Sequence, residues 1–158
     1  MLPEQVIYNK EAESNIPKFA CSILSEVTSE EHQRLLNSLA NTLESQGIKI
    51  THIDMGETPE LFDEKYRKLS KPAERDGYTP DLEGMKGALR HFGEVKTKVK
   101  VDPNIDAQLK AFTGREMNGK VIPLHIVVPK ELKKELESKL YKLGLYDKYK
   151  KGTIKVWV

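Results

Sequence analysis

The chain has 158 residues, 38% of them hydrophobic and 32% charged, with a formal net charge of +2. Such a length and balance describe one globular domain able to bury its own core, and exclude a low-complexity or disordered chain. No window approaches the roughly 20 apolar residues that span a bilayer, the first residues lack a signal peptide's pattern, and the lone Cys21 cannot close an internal disulfide, so the expectation is a cytoplasmic protein with no membrane partner.

In chain order, residues 1–17 are polar and read as a flexible N-terminal arm ahead of a single α/β domain, 18–158. Lys18 to Val27 reads as a strand, with Phe19, Cys21 and Ile23 alternating; Cys21 is then a buried, inert thiol. Thr28-Ser29-Glu30-Glu31 matches a capping box and opens a helix to about Gln46, with Leu35, Leu36, Leu39 and Leu43 as its buried stripe. Gly47 ends it, and Ile48 to Met55 forms the next strand. Thr58-Pro59 and Thr79-Pro80 each resemble an N-cap followed by proline at the first helical position. They predict a helical insertion over residues 58–93, one helix holding Leu61, Phe62, Tyr66 and Leu69, the other Leu82, Met85, Leu89 and Phe92. Glu94 to Val101 shows period-two alternation and predicts a strand with Lys96, Lys98 and Lys100 on one face.

A short helix follows Asp102-Pro103, carrying Ile105, Leu109 and Phe112. The clearest unit is the last. Val121 to Val128 is a β-branched apolar run, Leu132, Leu136, Leu140 and Leu143 recur at helical spacing before Gly144, and Thr153 to Val158 forms a final strand. The expected fold is α/β (α+β): a ferredoxin-like sandwich of two β-α-β halves with the helical insertion between them. The alternative is a mixed, mostly parallel sheet covered on both faces.

Charge is unevenly spread. Residues 1–64 carry 4 basic and 12 acidic side chains, and residues 65–158 carry 22 and 12. Such a dipole suits self-association or a protein partner docking acidic to basic surface, or the steering of a polyanion. Lys96, Lys98 and Lys100, with Lys148, Lys150, Lys151, Lys155 and Trp157 near the last strand, would make a basic sheet face with one aromatic for stacking single-stranded nucleic acid. Lys151 to Val158 agrees with the RNA-recognition signature only at Lys151, Gly152 and Val156. Gly114 to Lys120 has phosphate-loop spacing, but Val121 stands where a hydroxyl should hold magnesium.

His52 and His125 lie one in each half. Their arrangement is similar in outline to two-histidine phosphoesterases, in which paired His-x-Thr/Ser triplets face one cleft. The resemblance implies His52 and His125 as acid and base on a phosphodiester. Here Asp54 and Val127 replace both hydroxyls. No metal-ligand spacing or cofactor motif stands out. The leading expectation is a non-enzymatic binding domain, with a protein partner first and single-stranded nucleic acid next, and the phosphoesterase-like hydrolase as alternative.

Overall fold

A computed structural model describes the backbone of residues 18–99 and 103–158, and the side chains of 30–99 and 104–158. The expected arm, Lys100 and the environment of Cys21 lie outside these residues. The element order is α1 (Lys18–Ser45), β1 (Lys49–Ile53), β2 (Leu82–Lys86), β3 (Leu89–Val95), α2 (Pro103–Phe112), β4 (Glu116–Met117), β5 (Lys120–Val121), β6 (Leu124–Val127), α3 (Lys133–Lys142), α4 (Tyr146–Lys150) and β7 (Ile154–Trp157). The main sheet has the order β1-β2-β3-β6-β7, and β4 and β5 form a separate ribbon. The first three strands are an antiparallel meander, while β3, β6 and β7 run parallel.

This is a mixed α/β fold in three layers. Side chains of alternate parity on a strand point to opposite faces. Val95 and Val127 join Leu36, Leu39 and Leu43 of α1 in one core. Phe92, Leu124, Ile126 and Ile154 join Ile105, Leu109, Phe112, Leu136 and Leu140 of α2 and α3 in the other. Helices therefore cover both faces, and the N-terminal half contributes a helix and a meander where a β-α-β unit was expected.

Several expected elements change. Lys18–Val27 is not a strand but the first part of the 28-residue α1. Its apolar residues fit helical spacing as well as alternation (Phe19, Ile23 and Val27 recur four apart), and so short a run does not separate the two periods. The capping-box residues thus lie inside the helix. Residues 59–66 form two single 3₁₀ turns rather than one helix, although Phe62 and Tyr66 are core residues as expected. Asn37 of α1 accepts the backbone N–H of Asp63 at 2.9 Å, taking a donor that a continuous helix would need.

The second expected helix is instead the β2–β3 hairpin. Its two-residue loop is Gly87-Ala88, with Gly87 at φ +61°, the first-position glycine of a type II′ turn. The strand expected over 94–101 stops at Val95. The α1 stripe and α2 after Pro103 form as the sequence predicts, and so does the C-terminal strand–helix–strand unit, except that its first strand is confined to Leu124–Val127 while Val121 belongs to the β4–β5 ribbon.

Gly93 sits where α1 crosses the sheet. A Cβ there would stand 2.5 Å from Leu82 Cγ and 3.1 Å from Leu39 Cδ2. Gly93→Ala is expected to cost about 1–3 kcal/mol through overpacking, seen as a lower urea midpoint with an unchanged slope.

Candidate functional site

The hairpin register brings two acids together. Leu82 pairs with Gly93, so Asp81 and Glu94, thirteen positions apart in sequence, become neighbours at one end of the ladder. The Asp81 backbone N–H donates to the Gly93 carbonyl at 3.0 Å and to Glu94 Oε1 at 3.2 Å. Asp81 Oδ2 accepts the Val95 N–H at 2.8 Å. Lys96, just past the strand, turns back so that Nζ lies 3.4 Å from Glu94 Oε2 and donates to Gln108 Oε1 of α2. The Lys96 backbone N–H still donates to the Val127 carbonyl at 3.0 Å. Lys96 is therefore buried by ion pairing, not set in an exposed row.

From the other side of the sheet α1 brings His32, whose Nε2 lies 3.4 Å from Asp81 Oδ2. Gln33 donates from Nε2 to the Asp54 carbonyl at 3.3 Å, which turns its Oε1 toward His32 Nδ1 at 2.9 Å. Both imidazole nitrogens thus face acceptors, and both act as donors only in the imidazolium. Burial alone would lower the His32 pKa, but the hydrogen bond and charge of Asp81 outweigh it and hold the group above its ordinary value. Burial first, and then the charge of Asp81, raise the Glu94 carboxyl well above the usual range, even with Lys96 beside it. These groups line a cleft of about 440 Å³ with Thr79, Thr97, Lys98, Asn104 and Ile105. The cleft opens beyond the C-terminal end of β3, where the sheet changes from antiparallel to parallel. A second recess of about 470 Å³, beside Val99 and α3, has its Lys139 paired to Asp106 at 2.7 Å and gathers no acids of this kind.

The expected histidine pair does not form. His52 on β1 and His125 on β6 are separated by β2 and β3. His52 stands near Glu83 on the α2 side, whereas His125 is on the α1 side. A shared acid–base cleft for His52 and His125 is thereby corrected: strand order and parity separate them. His125 meets His91 instead, with Nε2 at 2.9 Å from His91 Nδ1, and Trp157 Nε1–H donates to His125 Nδ1 at 3.1 Å. The indole occupies the Nδ1 lone pair, so the His125 proton is on Nε2 and is donated to His91. This chain of donors leaves no nitrogen between the two rings free for a metal. Burial lowers His91 to about 4 and His125 to about 3, with Lys155 adding to both.

Both imidazoles bind protons less readily in the native protein than in the unfolded chain. Their contribution to stability is full above the ordinary imidazole range and is lost as pH falls from about 6.5 toward 4. Stability in urea is expected to fall by a few kcal/mol across that window, and a His91→Gln/His125→Gln double variant is expected to flatten the slope.

The basic residues expected to form one sheet face are divided. Lys96 and Lys98 belong to the cleft. Lys148 and Lys150 lie on α4, with Lys151 following, at the opposite end of the parallel strands. Lys155 and Trp157 point to the α1 side of edge strand β7. Sequence reasoning missed Asp81, Glu94, His32 and Gln108. The available signal was Asp81-x12-Glu94-x-Lys96 around Gly87-Ala88: a hairpin loop at that point places the outer residues side by side.

Among the described residues no group of three or more His, Cys, Asp and Glu side chains is arranged to hold a metal ion, and no helix is long and apolar enough to cross a membrane. Comparison with protein-family models, with curated proteins and with solved structures finds no match for the chain.

Proposed function

We propose that the protein hydrolyses phosphodiester bonds in nucleic acid with the help of a divalent cation held by Asp81 and Glu94. The observation that carries this reading is the pair of carboxylates side by side at the mouth of a cleft, one of them buried and raised in pKa, with a lysine held between it and Gln108. Two carboxylates are too few for a structural zinc or calcium cage. They suit magnesium, which keeps several waters and is bound through one or two carboxylates plus substrate phosphate. When bound there, magnesium would supply charge neutralisation and polarise the phosphoryl group.

The remaining roles fall to the chain itself. Lys96 stands where it can orient a water and stabilise charge on a phosphoryl oxygen. Attack by that water forms a new P–O bond and breaks the bond to the sugar oxygen, and the proton that the water loses passes to bulk solvent through the open cleft. His32, at the cleft mouth with its proton affinity raised by Asp81, gives that oxygen its proton. Lys98 and the basic stretch over residues 65–158 supply attraction for a polyanion. This reading keeps the expected nucleic-acid partner and moves the chemistry from His52 and His125 to a different pair of elements.

The test is cleavage of labelled single-stranded and duplex oligonucleotides with magnesium, with manganese, and with chelator. Metal-dependent cleavage by the parent, lost in Asp81→Asn and Lys96→Met, supports the proposal. Nucleic-acid binding without cleavage under any metal condition overturns it in favour of a non-enzymatic binding domain.

A further inference from the structure

The core under α2 and α3 leaves part of its sheet face bare. It takes Phe92 of β3 and residues of β6 and β7, but none of β1 or β2. On the bare part, Lys49, Met85 and Arg90 lie in register across β1, β2 and β3. Lys49 is exposed, and Met85 and Arg90 are half-buried. Two strand spacings set Lys49 and Arg90 about 10 Å apart, with Met85 between them. A bulge in β1 adds to the group. Ile50 pairs with Gly84 and His52 with Glu83, so the extra residue, Thr51, reverses parity and turns His52 away from the α1 core to this face. Thr51 Oγ1 donates to the Glu83 carbonyl at 3.3 Å and accepts from His52 Nδ1 at 3.0 Å. The imidazole is thereby oriented, with 43% of its side chain exposed.

Charge does not balance here. Arg75 occupies Glu83 Oε1 with both Nε and Nη2, at 3.1 and 2.9 Å. Arg90 Nε comes only to 3.7 Å from Oε2, too far for a hydrogen bond. Among the described residues the Arg90 guanidinium makes no hydrogen bond, and Lys49 has no acid partner. One carboxylate thus faces two guanidiniums and an imidazole, with an ammonium alongside. The planar fork of an arginine left in this state matches the oxygens of a phosphate, and a nearby lysine adds a point charge.

We propose that Arg90 and Lys49, with His52 beside them, form a phosphate subsite that holds the nucleic-acid strand at a distance from the scissile bond. Arg90 stands four residues before Glu94 on β3 and shares its face of the sheet, about 13 Å along the strand. The inference rests on the hydrolase reading for the identity of the strand, and adds the direction in which that strand leaves the cleft: along β3 and across the open meander. A backbone phosphate held in this way fixes the register of the strand and reads no base. It is bound alike before and during the reaction, so its loss raises KM and leaves kcat.

Binding of a labelled dT12 strand in EDTA, followed by anisotropy over a salt series, is the test. Arg90→Gln/Lys49→Gln is expected to weaken binding several-fold and to flatten the slope of log affinity against log salt by about one to two. Lys49→Gln alone alters an exposed side chain and is expected to take part of that change, which keeps the test valid should Arg90→Gln lower the urea midpoint. Lys142→Gln, exposed on α3, removes the same charge elsewhere and is expected to bind as the parent does. With magnesium, the double variant is expected to show a raised KM for cleavage and an unchanged kcat. No binding by the parent, parent-like affinity and slope in both Lys49 variants, or an equal loss in Lys142→Gln overturns the subsite. Binding that depends on Arg90 and Lys49 in a protein that cleaves nothing leaves the subsite standing and overturns the hydrolase; cleavage with a KM indifferent to both residues does the reverse.

Discussion

Asp81→Asn is expected to abolish metal-dependent cleavage, lowering the rate by at least about 100-fold, while the variant melts at or above the parent's temperature. The two effects have one cause. Asp81 is held against Glu94, and its charge is one reason that the buried Glu94 carboxyl resists ionisation. An asparagine oxygen can still accept the Val95 N–H that Asp81 accepts at 2.8 Å, so the hairpin end keeps its hydrogen bond, and the loss of the partly exposed His32 ion pair is offset by easier ionisation of Glu94 beside Lys96. Stability gained together with activity lost is the behaviour of a residue kept for chemistry. Thermal melting and a cleavage assay on the same preparation check both halves. A variant that is inactive and also several kcal/mol less stable would make Asp81 a structural acid.

Glu83→Ala, two residues further on in β2, is expected to do the opposite. It should cost about 3–5 kcal/mol of stability and leave the folded fraction competent to cleave. Glu83 is 3% exposed and surrounded by cations. Arg75 binds its Oε1 through Nε at 3.1 Å and Nη2 at 2.9 Å, and Arg90 Nε and His52 Nδ1 approach Oε2 at 3.7 and 3.9 Å. Arg75 also lies over the Phe92 ring at 5.3 Å, which ties the long loop before β2 to the sheet. Removing the carboxylate leaves Arg75, with only 22% of its side chain exposed, without its counter-ion. Urea denaturation gives the loss directly, and an unchanged midpoint would mean that the network contributes nothing net. Acids of one hairpin are told apart here by what faces them. Glu83 meets two arginines and an imidazole, whereas Glu94 meets a second carboxylate and a cleft.

Long periodic segments declared themselves in the sequence because one period explained many residues. The stripe of Leu36, Leu39 and Leu43 and the spacing of Leu136 and Leu140 correspond to buried faces. Short segments did not. Residues 82–93 carry apolar side chains whose spacing fits a helix, yet two glycines and a two-residue loop turn them into a hairpin. Gly84 lies where a side chain would collide with Ile48 and the Lys49 carbonyl, a contact that exists only once β1 is alongside. Lys96 was legible as one of three alternating lysines, but its carboxylate and amide partners come from residues 94 and 108. Alternation cannot report a pairing made by tertiary structure. The candidate site was unreadable for the same reason: Asp81 and Glu94 become neighbours only through the hairpin, and His32 reaches them from a helix on the other face of the sheet. Trp157 and Lys155 were legible as a same-face pair from strand parity alone, whereas the histidines behind them were not, because strand order was unknown.

Titration of the protein with magnesium by isothermal calorimetry, at two pH values and beside the Asp81→Asn variant, tests the central claim most directly. The raised Glu94 carboxyl must give up its proton to accept a cation. The account predicts a saturable site in the parent that binds more tightly at the higher pH, releases protons on binding, and is missing from Asp81→Asn. Equal binding by parent and variant, or no saturable binding at either pH, would contradict it.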